Sequence, residues 1–156
     1  WRSVTTDLIE SQYKEIEWEH ILVDAATMHL LSRPSDFDVI LADNLFGDIL
    51  TDEASMLTGS IGMIPSASLG NDSFGVYEPI HGSAPDIQNQ GIANPCGMIL
   101  SLALMLRHSL KLETEATAIE TAVNETLNQG IFTADLSNKS VVDTTTMGSA
   151  IASNIS

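Results

Sequence analysis

Basic residues are scarce. Six lysines and arginines stand against 21 aspartates and glutamates in 156 residues, giving a formal charge of -15 and a pI near 4.2. A surface so acidic repels phosphate backbones and anionic lipid, which argues against nucleic-acid and membrane partners, and it suits cations. Cysteine is nearly absent: Cys96 stands alone, so no internal disulfide can form, and a reducing, cytoplasmic setting is expected. Long hydrophobic runs are missing too. The densest apolar stretch, residues 98–106, is interrupted by Ser101 and is too short to cross a bilayer. No secretory signal opens the sequence, and a start at Trp1 rather than Met leads us to expect a piece of a longer protein. There is no internal repeat, no H-x-x-x-H spacing for zinc and no G-x-G-x-x-G dinucleotide fingerprint. What is present is an ordinary globular balance, 44% hydrophobic and 17% charged, in a chain long enough for one medium domain or two partial ones.

Apolar spacing organises the chain. Val4, Leu8, Ile9, Tyr13 and Ile16 recur at helical intervals over residues 1–17. Residues 20–24 read as a short strand ending in Asp24, and residues 25–31 as a helix stopped at Pro34. Residues 37–42 read as a buried strand running into Asp43 and Asn44, after which a tight turn at residues 44–47 precedes a helix from Gly47. The stretch 59–94 is rich in glycine and proline and predicts turns and loops, with extended pieces at 61–64 and 75–78. Past Pro95, residues 98–106 form a helix apolar on all sides, expected to be buried. Ala116, Ile119, Ala122, Val123 and Leu127 mark an amphipathic helix with Gly130 as its stop, and a last helix is expected from Thr145 to near Ile155. Strands alternating with helices give an α/β class. So few strands do not complete a sheet, so partner strands outside this stretch are expected.

Two constellations carry chemistry. Asp48 and Asp52 lie four residues apart on a predicted helix, so their carboxylates share a face and repel. A divalent cation such as Mg²⁺, which prefers carboxylate oxygen, would reverse that repulsion; a solvated acidic face, which Glu53 suits, is the plain alternative. Asp24 is a third candidate at a strand end, where ligands of open α/β sheets collect, or else it caps the helix that follows. The second constellation is His81-Gly82-Ser83-Ala84-Pro85-Asp86-Ile87, followed by Asn94-Pro95. Gly82 and Ser83 can turn backbone N–H groups toward a phosphate, Asp86 can accept from ribose hydroxyls, and His81 offers a ring for stacking on adenine. A purely structural glycine–proline loop is the alternative. Cys96 reads as packing, the other histidines as core or surface residues, and the six methionines as core filling.

The run from Asn44 to Glu53 (NLFGDILTDE), its continuation Gly59-Ser60-Ile61-Gly62-Met63, Pro65-Ser66-Ala67-Ser68-Leu69 and the loop from His81 to Asn94 together resemble the β-decarboxylating dehydrogenases, the isocitrate/isopropylmalate family, and most of all its isopropylmalate branch. The resemblance covers essentially the whole chain. It implies part of that family's two-domain α/β fold, residues 1–58 belonging to the dimerisation and metal-binding domain and residues 59–156 to the NAD-binding domain. It implies metal-dependent oxidation and decarboxylation of a 2-hydroxy dicarboxylic acid in leucine biosynthesis, with tartrate, D-malate or isocitrate as alternative substrates.

Residue by residue, the resemblance matches Asp48 and Asp52 to metal ligands for Mg²⁺ or Mn²⁺. It matches Asp24 to a third ligand, also at the substrate, that reaches the site of the other subunit of a homodimer. His81, Gly82, Ser83, Ala84, Pro85, Asp86, Ile87 and Asn94 fall in the loop around the adenosine half of NAD. Asp86-Ile87 is the pair that accompanies NAD, and an acid at that place would also repel a 2′-phosphate. No catalytic residue is assigned within the chain: the family's lysine and tyrosine, and its substrate-clamping arginines, are expected before Trp1. The isolated chain is therefore expected to be inactive, a fragment that folds, dimerises or binds a ligand.

Overall fold

The structure is a computed structural model that describes residues 1–139 and 141–156. It divides into two compact units, residues 1–50 and 51–156. The first holds α1 (Arg2–Gln12), α2 (Val23–Ser32) and the beginning of α3 (Asn44–Ser55), the helix within which the division falls. No strand forms at 20–24 or 37–42 among the described residues. Asp24 instead lies in the first turn of α2, where a negative charge meets the positive end of the helix dipole. At 37–42 the expected buried strand is an exposed extended segment, with Val39 87% and Leu41 66% accessible. A strand exists only where a neighbour pairs its N–H and C=O groups, and no strand of this unit lies alongside. The turn expected at 44–47 is the first turn of α3 itself. Asp43 caps it, its Oδ1 accepting from Phe46 N–H at 3.1 Å and its carbonyl accepting from Gly47 N–H at 2.8 Å.

The second unit is built around α4 (Cys96–His108). An antiparallel hairpin, β1 (Pro65–Leu69) and β2 (Gly75–Pro79), packs against it, as does α5 (Glu113–Asn128), and α6 (Thr144–Ser153) packs on α5. The hairpin registers Pro65 with Pro79, Ala67 with Tyr77 and Leu69 with Gly75. Asp72 shapes its loop by accepting from Phe74 N–H at 2.9 Å. The first strand starts later than the sequence pattern suggests, because Ile61–Met63 forms a 3₁₀ turn begun by the Ser60 hydroxyl, which accepts from Gly62 N–H. A lone hairpin is barely stable in water; α4 supplies the apolar cover that this one needs.

Cys96, Ala122, Val123, Met147 and Ile151 form the core, with Ala103, Ala116 and Ile119 as a second cluster further along α4 and α5. Full burial of a side chain such as Ile151 or Met147 contributes roughly 1.5–3 kcal/mol. α4 is not buried all round: Met98 and Leu102 are exposed while Gly97, Ser101 and Ala103 are buried. Size rather than hydropathy selects the inner face here, because a Cβ on Gly97 would lie 3.0 Å from the Gly62 carbonyl oxygen and 3.2 Å from that of Ile64. Core filling likewise holds for Met147, whereas Met28, Met56 and Met98 face outward. At the far end of α4, Arg107 holds Glu113 and Glu120 of α5 through paired hydrogen bonds. Gly130, in the left-handed region at φ +78°, ends the turn after α5 as expected.

Candidate cofactor cleft and acidic helix

Asp24, Asp48 and Asp52 are all exposed. Asp24 accepts from the N–H of Ala25 at 2.8 Å, and Asp48 from the Asn44 side-chain amide at 3.1 Å. Helical spacing keeps Asp48 and Asp52 on one face of α3, and both offer hard oxygen donors to water. No three His, Cys, Asp or Glu side chains gather into a metal-holding group among the described residues. Asp48 and Asp52 carry hard oxygen donors of the kind that Mg²⁺ or Mn²⁺ takes.

The second unit contains a cleft of about 730 Å³, lined by residues 60–62, 81–84, 87–89, 91–94, 134–135 and Thr144. Its front wall is the loop that leaves β2. The hairpin closes with Ile80 N–H on the Ile64 carbonyl, and the chain then turns through a 3₁₀ segment at Pro85–Ile87. Ala84 precedes that segment at φ +41°, a left-handed conformation that costs a non-glycine residue roughly 1–2 kcal/mol. The Gln90 side-chain amide fastens the turn by donating to the Asp86 carbonyl at 2.7 Å. His81 Nδ1 lies 2.9 Å from the Gly82 carbonyl. A carbonyl only accepts, so Nδ1 is the donor in this contact.

The back wall is tied together across long stretches of sequence. Asn94, which is buried, accepts from Cys96 N–H at 2.9 Å through Oδ1, donates to Asp135 Oδ2 at 3.0 Å through Nδ2, and meets Met63 Sδ at 3.4 Å. Thr144 donates through both its N–H and its hydroxyl, to the carbonyls of Gly91 and Ala93. Burial by itself would raise the Asp135 carboxyl, but its polar neighbours, Asn94 Nδ2 at 3.0 Å among them, outweigh it and hold the group below the ordinary aspartate range. The neighbouring Cys96 thiol is pushed up to about 11, first by burial and then by the Asp135 charge. It stays a neutral packing group.

Of the loop residues singled out in the sequence, His81, Gly82, Ser83, Ala84, Ile87 and Asn94 line this one cleft. Pro85 and Asp86 do not line it; they sit exposed on the adjoining 3₁₀ turn. Asn94 contributes shape and backbone rather than a free side chain, since both ends of its amide are engaged. Residues 60–62, Ala134, Asp135 and Thr144 were not anticipated as lining. The glycine–serine run at 59–63 offered a signal, whereas Asp135 offered none, because its partner Asn94 lies 41 residues away.

A sequence model of the isocitrate/isopropylmalate dehydrogenase family matches residues 1–151. The chain is 50% identical to the 3-isopropylmalate dehydrogenase of Rhodopirellula baltica over 99% of its own length and 44% of the relative's. It is 59% identical to that of Oceanobacillus iheyensis over 87% and 37% respectively. The chain thus spans less than half the length of these curated relatives. Among solved structures, isocitrate dehydrogenase from Methylococcus capsulatus superposes with a TM-score of 0.92 at 40% identity, covering 98% of this chain and 45% of that one. The apo β-decarboxylating dehydrogenase of Thermococcus kodakarensis gives 0.83 at 37% identity, covering 99% and 44%. Both the α/β fold and the sequence place the chain in the isocitrate/isopropylmalate dehydrogenase family.

Proposed function

We propose that this chain is the cofactor-cleft and metal-carboxylate portion of an NAD-dependent 3-isopropylmalate dehydrogenase, a cytoplasmic enzyme of leucine biosynthesis. One observation carries the reading: six of the eight residues picked from the sequence for the adenosine half of a dinucleotide line a single cleft of about 730 Å³, a volume suited to a small organic ligand. The isopropylmalate branch is favoured over the isocitrate branch because curated relatives named for it reach 50–59% identity.

In this reading the cleft would hold NAD, which would supply a hydride acceptor for oxidation of a 2-hydroxy acid, and Asp48 and Asp52 would hold a divalent metal that would supply Lewis acidity. This chain's residues bind and orient. Gly82 and Ser83 present backbone N–H groups to phosphate, while His81 and the apolar side chains of Ile61, Ile87 and Ile92 enclose the base. Asp86, at the rim, accepts from ribose hydroxyls and repels a 2′-phosphate. Asp48 and Asp52 hold the metal, with Asp24 contributed from the second subunit of a homodimer. No lysine or arginine lines the cleft, so the clamp for a dicarboxylate, the base and the acid come from elsewhere in the enzyme. The domain division we assign, residues 1–58 for pairing and 59–156 for the cofactor, lies eight residues beyond the division between compact units at residue 50, on the far side of α3.

Equilibrium binding tests the reading. The 156-residue chain is expected to bind NAD at least tenfold more tightly than NADP, and to produce no NADH from 3-isopropylmalate, NAD and Mn²⁺. Equal affinity for the two dinucleotides, or none for either at millimolar concentration, would overturn the cofactor assignment. Exposed apolar positions on α1 and α3, including Val4, Leu8, Leu45 and Ile49, support self-association. Sedimentation as a stable monomer at micromolar concentration would remove it.

A further inference from the structure

The back wall of the cleft depends on one carboxylate that no sequence motif announced. Asp135 stands on the loop between α5 and α6, yet its Oδ2 accepts from Asn94 Nδ2 at 3.0 Å. Ser60 and Asn94 sit on two separate stretches of the cleft wall. Between them lies Gly62, buried so tightly that an added Cβ would fall 2.8 Å from Asn94 Cβ and 3.3 Å from both Asp135 Oδ2 and Ser60 Oγ. Asn94 has two faces, an acceptor and a donor, and nothing in its own geometry says which should point where. The Asp135 carboxylate can only accept. It takes the NH₂, while the N–H of Cys96 at the start of α4, which can only donate, takes Oδ1, so the two partners together fix the amide.

We propose that Asp135 is a positioning residue for the dinucleotide: by fixing the orientation of Asn94 and the packing of Gly62, it sets the shape of the wall against which the adenosine half rests. This rests on the cofactor reading above. Asp135 acts through Asn94, and the proposal requires no contact between it and the ligand.

A charge swap tests this, with AMP as the probe and the full chain as the protein. Asn94→Asp places two carboxylates about 3 Å apart, and such a pair cannot ionise freely. The titratable groups on the segments around it are His81 and Asp86 on the front loop, Cys96 at the start of α4, and Lys139 and Asp143 on the far side of the loop. AMP affinity of Asn94→Asp is expected to fall at least tenfold at pH 8 and to recover at pH 5, where the pair shares a proton. The double variant Asn94→Asp/Asp135→Asn restores one carboxylate facing one amide. The carboxylate introduced by Asn94→Asp can accept from both Cys96 N–H and the new amide, and aspartate serves as well as asparagine at a helix start. The double variant should therefore bind AMP within about threefold of the original chain at both pH values. A role in stability alone would move the melting temperatures without this pH-dependent loss and rescue.

Unchanged AMP affinity of Asn94→Asp at pH 8, or a double variant as weak as the single one while its circular dichroism matches the original chain, would overturn the positioning role and leave the cofactor reading standing. Failure of the unaltered chain to bind AMP and NAD at millimolar concentration would remove the cofactor reading, and this inference with it.

Discussion

Glycine to alanine within a helix is normally stabilising, by up to about 1 kcal/mol, because alanine gives up less backbone freedom on folding. The two helical glycines of the second unit should respond in opposite directions. Gly97 is the second residue of α4 and is buried against the 61–64 segment and β2. A Cβ there would meet the Gly62 carbonyl at 3.0 Å, the Ile64 carbonyl at 3.2 Å and Pro79 Cβ at 3.2 Å. Two of those three atoms are backbone and cannot rotate away. Forcing a methyl group into such a contact costs about 1–3 kcal/mol, and the propensity gain at the first turn offsets only part of it. Gly97→Ala is expected to lose about 1–2 kcal/mol. Gly148, inside α6, has nothing within 4 Å of its Cβ position, so Gly148→Ala is expected to gain up to about 1 kcal/mol. Urea unfolding followed by far-ultraviolet circular dichroism separates the two. With a slope of about 2 kcal/mol per molar, the Gly97→Ala midpoint should fall by roughly 0.5–1 M while that of Gly148→Ala rises. A Gly97→Ala chain as stable as the original would refute the packing of α4 against the hairpin.

Three further outcomes follow from named contacts. Met147→Ala empties a fully buried position facing Cys96 and Val123 and should cost about 2–5 kcal/mol, read by the same unfolding curves. Glu120, hydrogen-bonded by Arg107, has its carboxyl held below the usual glutamate range. Its contribution is therefore complete above about pH 4.3, the usual value for glutamate, and is lost as pH falls through the depressed value. Thermal melts from pH 7 to pH 3 should show Glu120→Gln less stable at neutrality and converging on the original chain in acid; a constant gap would contradict the Arg107 pairing. Asp48→Asn should abolish Mn²⁺ binding in calorimetry, and Asp24→Asn should do so only under conditions where two chains associate. Unaltered affinity in Asp48→Asn would remove the metal assignment from α3.

The sequence by itself determined the helices of the second unit, because their signals are local. Helical spacing of Ala116, Ile119, Val123 and Leu127, and the stop at Gly130, specify α5 without reference to any other segment. It also singled out the loop from His81 to Ile87, five of whose residues line the cleft. Other features depended on tertiary structure. Residues 37–42 have strand composition, but a strand is a property of two segments, and none of the described residues pairs with them as a strand. α4 looked buried on all sides, yet the Gly62 and Ile64 carbonyls pack on the face bearing Gly97 and Ser101, α5 covers Ala103, and Met98 and Leu102 are left outward. Asp24 fits a metal by residue type, but no group of three ligands forms among the described residues. Asp135 is one acid among 21 acidic residues. Only the folded chain brings it to Asn94 across 41 residues, since hydrogen-bond partners far apart in sequence leave no periodicity or spacing to read.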